Sequence, residues 1–364
     1  MAIELWIENV GAVAEDPARA SDNVNALREA LNAAKRYGNR VRAGEGRFYL
    51  DAGIGIPSNV HLQGVGWSNL FATAGTGTTF IAAPNAKIDR MFYADMVEQG
   101  HSANVCISDM TISGNWYSGA EVGVGVHLFG LAHKMKDCFV GQMSGTGVLM
   151  GSLEHNPLDV GYYWIWWLTR NRITNCGEHA LIVATTDGFA HNNYISASHM
   201  GVLSVGGGNA WTANHFDNVA NPNHAAMVLQ EAAWLPDPHI SEYILGNYFD
   251  VSANGLLLAG SGAAKTNFIG KIADNTFRAN YNADVVINGM RNVRLTDNVS
   301  LQHRGNGHSI VGANTLRTRI IGHEWHGWGS DNPIDPEFRK WGISALRDCF
   351  VDGKDIVTTS AERG

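Results

Sequence analysis

Apolar residues in this sequence come in short runs, each closed off by glycine, asparagine or a small polar residue. Gly147-Val148-Leu149-Met150, Ala180-Leu181-Ile182-Val183, Gly201-Val202-Leu203-Ser204-Val205, Ala226-Met227-Val228-Leu229, Gly255-Leu256-Leu257-Leu258, Val285-Val286-Ile287 and Ser309-Ile310-Val311 follow one another in this way. Runs this short, rich in β-branched and aliphatic side chains, predict strands and are too short for helices. Upstream of them lies a second signal: asparagine, any residue, then a large apolar residue. It occurs as Asn171-Arg172-Ile173, Asn193-Tyr194-Ile195, Asn214-His215-Phe216, Asn247-Tyr248-Phe249, Asn275-Thr276-Phe277 and, in weaker form, Asn298-Val299-Ser300. The steps between these asparagines are 22, 21, 33, 28 and 23 residues. Units of this size cannot bury an apolar face alone, so each must lie on its neighbour. The pattern predicts an all-β solenoid, a β-helix with two or three short strands per coil. A leucine-rich repeat of similar length needs leucine at fixed offsets, and that pattern is missing.

Glycine fits this picture, since 42 of 364 residues are Gly and each coil has tight corners where positive φ is needed. Asparagine tolerates the left-handed conformation and its amide bonds nearby backbone, so the repeated asparagines are expected to build the stack rather than to act on a ligand. One helix is predicted, over residues 24 to about 37, with Val24, Leu27, Leu31 and Ala34 on one face, Ser21-Asp22-Asn23 as cap and Gly38 as stop. It would cover the open end of the first coil. The expected organisation is a capping segment over 1–57, a parallel β-helix over 58–320 and a C-terminal cap or tail over 321–364, forming one structural domain. The stretch Trp325-His326-Gly327-Trp328 and the segment from Asp331 to Asp335 belong to that tail and suit a closing cap or an oligomer contact.

Net charge is −8 and only 16% of residues are charged, without a basic stripe, so no nucleic-acid partner is expected. Cys106, Cys138, Cys176 and Cys349 lack metal-ligand spacing and sit in apolar strand patterns, as buried thiols do. No segment is long and apolar enough to cross a membrane. Met1-Ala2-Ile3-Glu4 has neither the basic start nor the apolar stretch of a signal peptide, so for an extracellular or virion-associated protein either the signal is not part of this sequence or the protein leaves its cell by another route such as lysis.

The run from Ser21 through the helix, then Arg47-Phe48-Tyr49-Leu50 and Ile56-Pro57-Ser58-Asn59-Val60-His61-Leu62-Gln63-Gly64-Val65-Gly66, resembles the opening of the pectate-lyase-like superfamily of single-stranded right-handed parallel β-helices. Its members include polysaccharide lyases, glycoside hydrolases, mannuronan C-5 epimerases and phage tailspike depolymerases. With the repeats, the resemblance covers about residues 20 to 320. It implies this fold with a capping helix, and a polysaccharide partner. The alginate epimerase catalytic module is echoed in Ser108-Asp109-Met110-Thr111-Ile112-Ser113-Gly114-Asn115, Met143-Ser144-Gly145-Thr146-Gly147 and Val228-Leu229-Gln230. Those epimerases carry Tyr-Gly-Phe-Asp-Pro-His where this sequence has Thr146, Gly147, Val148, Leu149, Met150 and Gly151, so their catalytic side chains are absent here.

Insertions between strands are expected to wall a substrate groove. One fills 151–163 and holds Glu154, His155 and Asp159; the other fills 230–240 and holds Gln230, Glu231, Trp234, Asp237 and His239. Between them Glu178-His179, Ser198-His199 and Asn223-His224 precede successive strands, which predicts a column of imidazoles one coil apart, about 4.8 Å. Imidazole beside carboxylate suits proton transfer near neutral pH. Glu178, His179, His199, His155 and Glu231 are therefore the candidate catalytic residues. Trp164, Trp167, Arg170, Asp187, His224, Gln230 and Trp234 are the candidate substrate contacts. In the aromatic run 162–167, alternation puts Trp164 and Trp166 on one face and Tyr163, Ile165 and Trp167 on the other. A lyase needs a cation such as Arg170, Arg172 or Ca²⁺ against a uronate carboxylate, plus a base. A hydrolase needs two carboxyl groups, for which Glu178, Asp187 and Glu231 stand out. No metal-ligand set is evident. The expected function is cleavage of an acidic polysaccharide by β-elimination, with a tailspike-type endo-glycoside hydrolase, trimeric if so, or a non-catalytic glycan-binding adhesin as alternatives.

Overall fold

The computed structural model describes residues 4–37, 40–68, 76–95, 102–153, 165–219, 221, 224–231, 239–260, 265–301, 308–313, 315–326, 346–347, 349–351 and 354–356. They form two compact units that divide after His199, each built of right-handed parallel coils with three faces. In the first unit, face 1 carries Arg40–Arg42, His61–Gln63, Trp166–Thr169 and Phe189–His191, and face 2 carries Gly46–Leu50, Thr78–Ala82, Arg172–Cys176 and Tyr194–Ser196. Two long strands, Cys106–Ser113 and His133–Met143, bend to serve both faces. Face 3 carries Ile54–Ile56, Lys87–Ala94, Glu121–Leu128, Thr146–Gly151 and His179–Ala184, all in parallel register. Parallel pairing on face 1 starts ahead of residue 58, with Glu4–Trp6 in register with Arg40–Arg42. The second unit repeats the order: Gly207–Thr212, His239–Leu245 and Thr266–Ala273 on face 1; His215–Asp217, Tyr248–Asp250, Thr276–Arg278, Val299–Leu301 and Glu324–His326 on face 2; and Met200–Val205, Ala225–Gln230, Asn254–Ala259, Ala283–Asn288 and His308–Ala313 on face 3.

The helix spans Ala20–Tyr37 and lies against Gly46–Leu50 and Ile54–Ile56, with Val24, Leu27, Leu31 and Ala34 buried. Its start differs from the sequence expectation. Asp16 caps a short turn, Pro17–Arg19, by accepting from the Ala18 amide at 2.9 Å, and the helix continues from there. Asn23 is buried instead, where it accepts from the Val13 amide (2.7 Å) and donates to the Val13 and Tyr49 carbonyls (3.0 and 3.1 Å), tying the helix to the first coil. No described helix is long and apolar enough to cross a membrane.

The asparagine motif builds the corner between faces 1 and 2. In the first unit Asp109, Asp137, Arg170 and Asn192 turn that corner with φ of 59°, 53°, 53° and 54°, each just before the ladder position. The corner residue is therefore the one before the motif, and the motif asparagine points inward. Asn171 gives its backbone N–H and its side-chain amide to Asn193 Oδ1 (2.9 and 3.0 Å), and the second amide proton goes to the Met135 carbonyl at 3.0 Å. In the second unit Asn214, Asn247, Asn275 and Asn298 repeat these bonds at 2.9–3.0 Å. At Asn247 and Asn275 every amide proton and both oxygen lone pairs are thus used in a buried corner, and an unpaired polar group there costs about 1–3 kcal/mol. The third motif residue also stacks: Phe216, Phe249 and Phe277 lie ring on ring at 4.8 and 4.9 Å. The described thiols of Cys106, Cys138 and Cys176 form no disulfides, and burial pushes Cys176 up to about 12.

One carboxyl lies within the core of the second unit. Glu242 is 1% exposed and accepts from Ser204 Oγ (2.9 Å), Asn209 Nδ2 (3.0 Å) and Trp211 Nε1 (2.9 Å). Burial pushes it up to about 7 against these three bonds, and burial likewise pushes Asp284 up to about 7.

Two outcomes follow from this packing. Asn247→Ala leaves donors and a carbonyl unmet in two neighbouring coils, and should lower unfolding stability by about 2–4 kcal/mol in denaturant melts. Thr276→Ala, at the outward middle position of the same motif, should change it by less than about 0.5 kcal/mol. Because the folded-state values of Glu242 and Asp284 lie above the ordinary carboxylate range of about 4, the folded state binds the extra protons, and their contribution to stability is lost as pH rises through the window up to about 7. Glu242→Gln removes one of these titrations, so the variant should gain on the parent chain between pH 5 and pH 8. A pH-independent difference in denaturation midpoint would contradict this.

Candidate functional site

On the outer side of face 3 in the first unit, neighbouring strands bring ionisable side chains together. Tyr93 and His127 are register partners on Lys87–Ala94 and Glu121–Leu128, and Arg90 lies opposite Val124. The guanidinium of Arg90 sits 5.2 Å from the Tyr93 ring, 3.1 Å from Asp89 Oδ2 through Nε, and 3.4 Å from His127 Nδ1 through Nη1. The other imidazole nitrogen, His127 Nε2, is 2.9 Å from the Gly151 carbonyl, which can only accept. The proton therefore resides on Nε2, and the Nδ1 lone pair faces Arg90. Burial, and to a smaller extent Arg90, holds His127 below the ordinary imidazole range, while the Gly151 bond acts the other way. Towards the start of the same strands an open cleft of about 480 Å³ is lined by Lys87, Asp89, Glu121, Ser144 and Glu178. Lys87 pairs with Glu121 at 3.3 Å, and Thr146 Oγ1 donates to Glu178 at 3.3 Å.

Of the residues expected from sequence, Glu178 lies in this cleft and His179 opens the adjacent strand, half-buried. His199 is not stacked on His179. The register Arg172↔Tyr194 and Thr174↔Ser196 has an offset of 22 residues, which puts His199 level with Gly177, two residues before His179. Its amide donates to the Cys176 carbonyl at 2.9 Å. Asp187 is exposed at a left-handed corner (φ 55°) and accepts from Thr186. Trp166 is buried and Trp167 faces outward, as alternation predicts; Lys134 Nζ stands 4.6 Å over the Trp167 ring on face 1. Arg170 forms a two-pronged pair with Asp137 at 2.7 Å, on the corner between faces 1 and 2 and off the outer side of face 3. In the second unit Gln230 is exposed at the end of its strand, Glu231 accepts from Thr266 Oγ1 at 2.5 Å, and the His224 amide donates to Asn221. His155, Trp164 and Trp234 lie outside the described residues, as do Glu154, Asp159 and Asp237.

Sequence reasoning missed Arg90, Tyr93 and His127, which precede the first asparagine motif. It also missed a cluster on face 2 of the second unit. His215 meets Tyr248 edge-on at 4.8 Å, Asp217 is the register partner of Asp250, and Arg278 reaches Tyr248 Oη at 3.4 Å and Asp250 at 3.6 Å. Burial raises Asp250 above the ordinary carboxylate range, opposed by Arg278. The available signal was the motif itself: with its first and third residues buried, the middle one must face out. A Ser–His–Asp grouping on face 1 has no such use. His61 Nε2 is 2.8 Å from Ser108 Oγ, but that hydroxyl gives its own proton to Asp109 at 2.6 Å, so the imidazole donates rather than acting as base.

No protein-family model matches the sequence, and no curated relative does. Among solved structures, the A-module of a mannuronan C-5 epimerase from Azotobacter vinelandii superposes with a TM-score of 0.58 at 17% identity, covering 96% of this chain and 96% of that one. A capsular polysaccharide depolymerase, the tailspike of Acinetobacter baumannii bacteriophage Fri1, gives 0.58 at 12% identity, covering 96% and 63%. The chain shares their parallel β-helix fold. A protein of Geobacillus virus E2 gives 0.56 at 15% identity over 96% of this chain and 60% of its own. The chain thus spans about three fifths of the length of the two viral proteins.

Since burial holds His127 neutral, its imidazole should titrate below the ordinary value of about 6.5 and keep its proton on Nε2 at pH 7. Nitrogen chemical shifts measured against pH test this; a midpoint at or above the ordinary value would remove the proposed neutral state.

Proposed function

We propose that this protein is a carbohydrate-active enzyme that cleaves an acidic, uronate-containing polysaccharide by β-elimination on face 3 of its first unit. The observation that carries the reading is the Arg90–Tyr93–His127 group: a cation, a phenol and a neutral base with a fixed tautomer on one outer sheet surface. Arg90 would bind the uronate carboxylate and make the C5 proton more acidic. Moving to the carboxylate frees His127 Nδ1, which takes that proton. The C5–H electron pair becomes the C4–C5 double bond, the C4–O bond breaks, and Tyr93 gives the leaving oxygen its proton. Glu178, Glu121 and Asp89 line the neighbouring cleft, where they would meet sugar hydroxyls. The polysaccharide-acting neighbours in fold support the substrate class, and the two viral ones support work outside the cell or on a virion; a trimer would suit a tailspike-like role.

A hydrolase reading has one observation on its side: Asp217 and Asp250 are register partners, with Asp250 raised by burial as an acid must be. The two readings differ in product. Digestion of polygalacturonate and alginate, with and without Ca²⁺, should yield products with the ultraviolet absorbance of a new double bond. His127→Gln and Tyr93→Phe should each lower kcat by about 10²–10⁴ with the melting temperature little changed. New reducing ends without that absorbance, lost in Asp250→Asn, would favour the hydrolase instead.

A further inference from the structure

We infer that the first unit carries a second, non-catalytic site for an anionic sugar, on face 2 around Arg172. An open cleft of about 410 Å³ is lined there by Trp67, Arg170, Asn171, Arg172, Asn192 and Tyr194. Its centre is the Arg172 guanidinium, held between two rings at 5.1 Å from Phe139 and 5.0 Å from Tyr194. Arg172 is exposed, and among the described residues no carboxylate pairs with it. Its neighbour differs, since Arg170 is already matched by both oxygens of Asp137. A guanidinium fixed by stacking keeps its N–H fork rigid and unspent, and that fork fits a carboxylate or sulfate in two-pronged fashion.

The wall of the cleft is built rather than incidental. Ser68 anchors the segment that carries Trp67: its amide donates to Thr111 Oγ1 (2.9 Å), Thr111 Oγ1 donates to its carbonyl (2.7 Å), and its hydroxyl bonds Thr79 Oγ1 (2.9 Å). Trp67 then stands edge-on to Phe139 at 5.5 Å while remaining 47% exposed. An exposed indole and a phenol ring beside a free guanidinium, with the Asn192 amide at the rim, offer stacking for a sugar face, a charge for its anionic group and a partner for its hydroxyls. This site lies on a different face from Arg90 and His127, so it would hold the polymer while face 3 works on it. The inference rests on the acidic-polysaccharide reading for its ligand, not for its chemistry.

The test is affinity electrophoresis of the full chain in gels containing alginate (carboxylate), carrageenan (sulfate) or neutral dextran. Retardation is expected in an anionic gel and not in dextran. Arg172→Gln should weaken it by about tenfold or more, and Trp67→Ala should weaken it too, with unchanged melting temperatures showing that both variants fold. Retardation of Arg172→Gln equal to the parent chain, or no retardation of the parent in either anionic gel, overturns the site. Cleavage without Arg172-dependent binding would remove this site and leave the proposed activity; Arg172-dependent binding without cleavage would do the reverse.

Discussion

The structure depends on how each coil turns the corner from face 1 to face 2 without leaving backbone polar groups unmet. A residue with positive φ makes the bend, at a conformational cost of about 1–2 kcal/mol where it is not glycine. The asparagine that follows offsets this by saturating its amide between coils, as Asn171 does with Asn193 and Asn247 with Asn275. Because the same bond links coil to coil, the corner also fixes the register of the strands on both sides. A slip by one residue would turn every inward side chain outward.

From that register follows the division of labour within the motif. The asparagine and the apolar third residue are inside, so the second residue lies on the outer side of the sheet and does not have to fill the core. Arg172, Tyr194, His215 and Tyr248 all occupy it. Within each unit, neighbouring coils thus place such side chains next to one another, Arg172 beside Tyr194 in the first and His215 beside Tyr248 in the second, where they can carry charge or aromatic surface. Polar groups that do enter the core, such as Glu242, are met by several donors, and burial still pushes the carboxyl towards its neutral form. Such a network ties stability to pH.

Charge is distributed unevenly on the first unit despite a net charge of −8 for the chain. On faces 1 and 2 cations stand outward, Lys134 over Trp167 and Arg172 between two rings, while Asp109 and Asp137 at the corner are taken up by hydrogen bonds and an ion pair; the exposed carboxylates Asp89 and Glu121 lie on face 3. Local fields of this kind matter more to an anionic ligand than the global charge does.

Period, strand length and the asparagine motif were enough to specify the fold, because coil stacking repeats one local rule that the sequence states many times. The capping helix was legible for the same reason, through the apolar stripe at Val24, Leu27, Leu31 and Ala34. The site was not. Glu178 lies in the face 3 cleft, but His199 falls level with Gly177 rather than His179, since the coil offset there is 22 residues and the two histidines are 20 apart, which only the assembled coils show. Arg90, Tyr93 and His127 come from strands 34 residues apart in register and before the clear repeats, so nothing local links them. Arg170 and Arg172 look equivalent in sequence, two cations two residues apart. Tertiary packing alone decides that one is neutralised by Asp137 and the other is left charged and rigid between Phe139 and Tyr194.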